Sequence, residues 1–170
     1  ERITGEPFRD FLAREVFTPL RMKRSALGLG NFNLAETVRS QTEHSAPESG
    51  AGNPETRNWD WNSAYWRNLG APWGGAHASA ADVARFLRSF LDPSTGVLRE
   101  ETARAMVHNQ IPDLDTPRGL GFDLSPSSFG TSCSGKTFGH LGATGTMAWA
   151  DPEKDLTFVF LTSLPDSGLR

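Results

Sequence analysis

A single cysteine, Cys133, stands in this 170-residue chain. An internal disulfide is therefore excluded, and the redox compartment stays open. No apolar run approaches the ~20 residues that a membrane-spanning helix needs, and no signal-peptide pattern opens the sequence. The compartment is undetermined on these grounds. Neither sign of charge dominates: the net charge is −3, which offers no electrostatic reason to expect a nucleic-acid partner. His44, His77, His108 and His140 lack metal-ligand spacing and have no cysteine pair beside them. Neither a metal nor another cofactor is expected.

What is present is a globular composition. Five tryptophans and eleven phenylalanines supply enough apolar area to build a core or line a groove. The length suits one compact domain. Its opening is irregular, however. Glu1 to Phe8 reads as the end of one helix, a glycine stop at Gly5 and a new helix, so the expectation is a partial domain that has lost its front.

Pro7 suits the first turn of a helix, and Phe8, Phe11, Leu12 and Val16 follow at helical spacing until Pro19 ends the pattern. Residues 28–73 then show no sustained period and are rich in Gly, Asn, Pro and Ser. A connection of that length is usually a functional loop or lid. Trp59, Trp61, Tyr65, Trp66 and Trp73 fall within it, either as a hydrophobic cluster under the loop or as a wall of a substrate cleft. Next, Ser79 with Asp82 resembles a capping box. Val83, Phe86, Leu87, Phe90 and Leu91 line one helical face up to Asp92-Pro93. A further helix is expected from Arg99 to Asn109, with Ala103, Met106 and Val107 inward.

The C-terminal third reads as strands. Gly119-Leu120-Gly121-Phe122, Thr137 to His140, Met147 to Ala150 and Leu156 to Thr162 are short apolar runs, the last two joined by the turn Asp151-Pro152-Glu153-Lys154-Asp155. The fold class expected is α+β, an antiparallel sheet flanked by helices. Glycines around His140 suggest backbone left bare for close approach. On residues alone, a lone histidine among glycines is more often structural.

Together these segments carry a family resemblance. His140-Leu141-Gly142-Ala143-Thr144-Gly145-Thr146, with the Asp-Pro-Glu-Lys-Asp hairpin and its apolar strand, resembles the third motif of serine β-lactamases and penicillin-binding proteins, which reads Lys-Thr-Gly or His-x-Gly. It is most similar to the class C β-lactamase, D-alanyl-D-alanine carboxypeptidase and esterase branch. Gly74-Gly75-Ala76-His77-Ala78-Ser79-Ala80-Ala81-Asp82-Val83-Ala84-Arg85-Phe86 resembles a second block of that family. Phe17-Thr18-Pro19-Leu20-Arg21-Met22 resembles a third, with Arg21 where the family has glycine. The resemblance implies an incomplete fold of this type and an acyl-enzyme mechanism. His140 is then the polar group of the cleft wall, the Ala143 backbone N–H is the second oxyanion donor, and Gly142, Leu141 and Thr144 meet the substrate. That substrate is a β-lactam, a D-Ala peptide or a small ester.

Two motifs of the same family have no counterpart. No serine here has a lysine three positions on, and Tyr65 is followed by Trp66-Arg67 where Tyr-x-Asn is expected. By family order both belong before residue 1, so the expected partner is a missing N-terminal segment. Without it the chain is inactive, or is a non-catalytic binding module. Two weaker matches compete. Cys133 and Lys136 have the nucleophile–base spacing, but in a Ser/Gly-rich loop where helical geometry is not expected. Gly130 to Thr137 fits Gly-x-x-x-x-Gly-Lys-Thr literally, yet no helical pattern follows it, as a phosphate loop requires. Finally, Leu156, Phe158, Val159, Phe160 and Leu161 are apolar on both strand faces, so the chain alone is expected to expose sheet surface and to associate.

Overall fold

The computed structural model describes residues 1–45 and 50–165. They group into two compact units, one of residues 1–79, 142–146 and 161 onward, the other of residues 80–141 and 147–160.

In the first unit α1 (Phe8–Leu12) follows Pro7 and runs into a π-helical turn, Ala13–Phe17. Glu1 supplies the missing cap, its carboxylate accepting from the Phe8 N–H at 3.1 Å. Phe8, Phe11, Leu12 and Val16 are half-buried while Arg9 and Asp10 are exposed, as their spacing predicts. Arg21 has φ +55°. A residue with a Cβ costs about 1 kcal/mol there, a penalty that glycine would not carry.

Among the described residues, 28–73 is mostly irregular, holding a short α-helix and three-residue 3-10 turns between two flanking strands. β1 (Ser25–Leu27) pairs antiparallel with β2 (Ala76–Ala78), placing Ala26 opposite His77. Between them lies α2 (Ala64–Leu69), capped by the Ser63 hydroxyl accepting from the Trp66 N–H at 3.0 Å and closed by Gly70 at φ +64°. Three-residue strands and a six-residue helix are too short to impose a readable period. The tryptophans are not a packed cluster. Trp73 is 79% exposed, Trp59 and Tyr65 are exposed too, and among the described residues no two of these rings pair. The loop is instead organised by Arg67, which is buried. Its guanidinium donates to the carbonyls of Trp61 (2.6 Å) and Val38 (3.0 Å) and to Asn62 Oδ1 (3.1 Å), and meets His77 Nε2 at 3.3 Å.

His77 Nδ1 faces the Gly28 carbonyl at 3.1 Å. A carbonyl only accepts, so Nδ1 carries the proton and Nε2 receives the arginine. Burial, then the adjacent Arg67 charge, lower the His77 pKa below its ordinary value, against the raising pull of the Gly28 and Gly75 carbonyls. The unfolded chain thus binds a proton at higher pH than the folded one, so stability falls as pH drops through about 6.5. Thermal melts between pH 8 and pH 5 should show this loss, and His77→Gln should reduce it. An unchanged slope in the variant would show that the dependence arises elsewhere.

The second unit is a three-stranded antiparallel sheet with helices on one face. Its strands are β3 (Phe138–Gly142), β4 (Thr146–Asp151) and β5 (Leu156–Phe160), in the order β3-β4-β5. β4 and β5 pair from Met147 opposite Phe160 to Asp151 opposite Leu156. α3 (Ala80–Leu91) and α4 (Glu100–Met106) bring their apolar faces to this sheet. The core holds Leu87, Phe90, Ala103, Phe122, Phe138 and Ala150, with Met106 and Val107 against it. The rings of Phe90, Phe122 and Phe138 meet edge-on at 5.1–5.9 Å, and Phe138 is 1% exposed. Gly119 to Phe122 is not a strand. Its ladder is reduced to isolated bridges, Arg118 with Asp123 and Asp123 with Gly139, because the Leu120 N–H is spent on the Met106 carbonyl at the end of α4.

Candidate functional site

The residues singled out by the His-x-Gly pattern occupy the hairpin between β3 and β4. Phe138 and Gly139 are buried, and His140 and Leu141 then emerge into solvent. This departs from strict alternation because β3 leaves the helices that cover its first half. The hairpin closes through the Gly145 N–H donating to the Gly142 carbonyl at 3.0 Å, with Gly145 at φ +73°. Ala143 is exposed, and among the described residues its N–H donates to no backbone carbonyl. Thr144 is half-buried.

The imidazole of His140 is oriented from within its own strand. Nδ1 lies 2.6 Å from the Leu141 carbonyl oxygen. That oxygen can only accept, so Nδ1 bears the proton and Nε2 is the acceptor of the neutral ring. This contact turns Nε2 away from the strand, toward the surface. Two glycines give the hairpin its shape for different reasons. A Cβ on Gly139 would fall on the Ala148 carbonyl oxygen and within 2.5 Å of Trp149 Cβ, whereas one on Gly142 would meet only the Thr146 side-chain hydroxyl. Gly139 is demanded by strand packing. Gly142 leaves open backbone beside His140.

Behind the hairpin, Asp151 holds the chain that leads into β3. The Asp151 side chain is fully buried. It accepts from the Ser134 N–H (2.8 Å) and hydroxyl (2.6 Å) and from the Glu153 N–H (3.0 Å). Burial pushes its pKa up, but these hydrogen bonds outweigh it and hold the carboxyl below its ordinary value. No sequence signal marked this residue beyond its place in a turn. The same contacts dispose of the two competing readings. The Gly130–Thr137 segment leads into a strand, not a helix, and its Ser134 amide is committed to Asp151. Lys136 pairs instead with Glu153 at 3.6 Å.

Among the described residues no cluster of three or more His, Cys, Asp or Glu could hold a metal ion, and no helix is long and apolar enough to cross a membrane.

The same hairpin follows, in the chain, the Gly74-Gly75 turn, β2 and α3. The Beta-lactamase family model matches residues 1–169. The chain belongs to the β-lactamase family. A protein of Escherichia coli strain K12, named "Putative D-alanyl-D-alanine carboxypeptidase", is 22% identical across 98% of this chain but only 42% of its own length. A solved β-lactamase from Mycobacterium bovis superposes with a TM-score of 0.65 at 25% identity, over 99% of this chain and 53% of that one. A penicillin-binding-protein homologue from Caulobacter crescentus gives 0.67 at 20% identity, covering 96% and 48%. This β-lactamase-family chain thus spans about half the length of the relatives it matches. Its fold is that part of the β-lactamase and penicillin-binding-protein architecture.

Proposed function

We propose that this chain forms one wall of the acyl-transfer cleft of a serine hydrolase whose nucleophile lies on polypeptide outside residues 1–170. The substrate class is a β-lactam, a D-Ala peptide or a small ester, in keeping with the carboxypeptidase and β-lactamase names of its relatives. One observation carries the reading: an exposed imidazole with its tautomer fixed stands beside a hairpin tip whose Ala143 amide is not committed to another strand. In this reading the Ala143 N–H is an oxyanion donor, aimed at the charge that develops on the scissile carbonyl. His140 Nε2 accepts a proton or orients the group that moves it. Gly142 admits substrate backbone, and Leu141 and Thr144 flank it.

The second reading is a non-catalytic module that binds peptide in the same cleft. A longer form of the protein that lacks Ser-x-x-Lys upstream of residue 1 would support it. Joining the chain to its N-terminal segment, in trans or by fusion, separates the two. Covalent labelling by a β-lactam or fluorophosphonate probe is expected only in the reconstituted protein, with His140→Ala slowing acylation about 10–100-fold. A correctly assembled protein that stays unlabelled supports the binding module.

A further inference from the structure

We infer that the contact between His77 and Arg67 is an acid-sensitive latch: a second proton on the His77 ring releases the Arg67 guanidinium and loosens the loop it closes, while the rest of the chain stays folded. The latch is independent of the catalytic reading. It differs from a loss of global stability in what opens, two segments and not the whole fold. Those segments meet at one guanidinium. Arg67 of α2 donates to the Val38 carbonyl (3.0 Å), the Trp61 carbonyl (2.6 Å) and Asn62 Oδ1 (3.1 Å). Asn62 extends the stitch, its Oδ1 accepting from the Ser40 N–H at 2.7 Å and its amide donating to the Ser40 carbonyl at 2.9 Å. Residues 38–42 are thereby tied to residues 61–67. Every one of these acceptors is neutral. Asp60 acts on the guanidinium as a nearby charge, and burial already works against the cation.

The remaining contact of the guanidinium is His77 Nε2 at 3.3 Å. It is a hydrogen bond only while the ring is neutral, because Nδ1 spends its proton on the Gly28 carbonyl and Nε2 offers the lone pair. A second proton goes to Nε2. A donor then faces a donor, and two like charges stand at hydrogen-bond distance. His77 is the partner that stays. It lies on β2 in register with Ala26 of β1, and its bond to the Gly28 carbonyl strengthens once the ring is charged. Arg67 gains nothing in return, and its long side chain rises from a six-residue helix. Among the described residues Arg67 is the one charge that acts on the ring, with Asp60 behind it; Gly28 and Gly75 contribute backbone carbonyls. Release loosens residues 38–42 without unfolding them, since the Gln41 N–H still donates to the Ser163 carbonyl at 2.8 Å. The sign follows from the ring's two environments. Burial and Arg67 disfavour its charged form in the closed loop, and opening restores an ordinary value of about 6.5. Opening therefore grows as pH falls below about 6.5, by at most about tenfold per pH unit for one proton.

Hydrogen exchange read by mass spectrometry on the full-length protein tests this, at about pH 7.5 and about pH 5.5 with the intrinsic rate divided out. Amides of residues 38–42 and 61–67 are expected to lose protection about tenfold at the lower pH, while α3, β4 and β5 keep theirs. His77→Gln accepts from Arg67 through its side-chain carbonyl but takes no proton, so both segments should keep their neutral-pH protection in that variant. Proton NMR of the His77 ring supplies a measurement that needs no variant: its titration midpoint should coincide with the midpoint of the exchange change. Equal protection at the two pH values overturns the proposal. So does an equal acid loss in a folded His77→Gln protein, or a loss spread evenly through α3 and β4, which is global unfolding. Midpoints about one pH unit or more apart would also overturn it, because another group then opens the loop.

Discussion

Replacing Asp151 by alanine is expected to destabilise the second unit by about 3–5 kcal/mol. The carboxylate is fully buried and holds two backbone N–H groups and a hydroxyl, so its loss leaves a cavity and strands donors in a partly buried turn. Urea denaturation followed by tryptophan fluorescence measures this directly, because Trp149 lies two residues away in β4. Asp151→Asn should cost less, since its carbonyl oxygen can still accept the Glu153 amide. The sign with pH follows from the lowered pKa. The folded carboxyl releases its proton below the ordinary range, so its contribution is complete above about pH 4 and is lost as pH falls through the folded value. Wild type should therefore lose stability on acidification more steeply than Asp151→Asn. Equal acid slopes would mean that Asp151 does not anchor the Ser134 loop in solution.

Gly139→Ala is expected to be at least as damaging, about 4 kcal/mol or more. The added methyl would collide with the Ala148 carbonyl and the Trp149 backbone, neither of which can rotate away. It would also disturb the bridge in which Gly139 exchanges backbone hydrogen bonds with Asp123 at 3.0 and 2.7 Å. Gly142→Ala is the control. There the methyl meets a threonine hydroxyl that can change rotamer, so a loss within about 1 kcal/mol is expected. If both substitutions prove equally mild, β3 does not lie against β4 as closely as described. The pair also separates two roles for glycine beside His140: the one before it holds the sheet together, and the one after it keeps the surface bare.

Most of the second unit was legible in the chain. The α3 face from Val83 to Leu91, the inward residues of α4 and the three strands around Asp151-Pro152 all follow from spacing and turn chemistry. Each is long enough, or sharply enough punctuated, for its period to show. Legibility failed where elements are short. β1, β2 and α2 each complete too few repeats to stand out, and Gly119 to Phe122 lost its strand to a bond from the end of α4. The tryptophans misled for another reason. Large apolar side chains signal burial on average, yet here a buried arginine bonded to peptide carbonyls closes the loop and leaves Trp73 in solvent.

The order of residues alone determined the family, the α+β class and the place of the His140 hairpin, because those rest on local spacing and on motifs contiguous in the chain. Only the tertiary structure decided which nitrogen of His140 faces outward and which carboxylate anchors the approach to β3. Each of these depends on groups distant in sequence or on the direction of a single hydrogen bond. Periodicity carries no record of either.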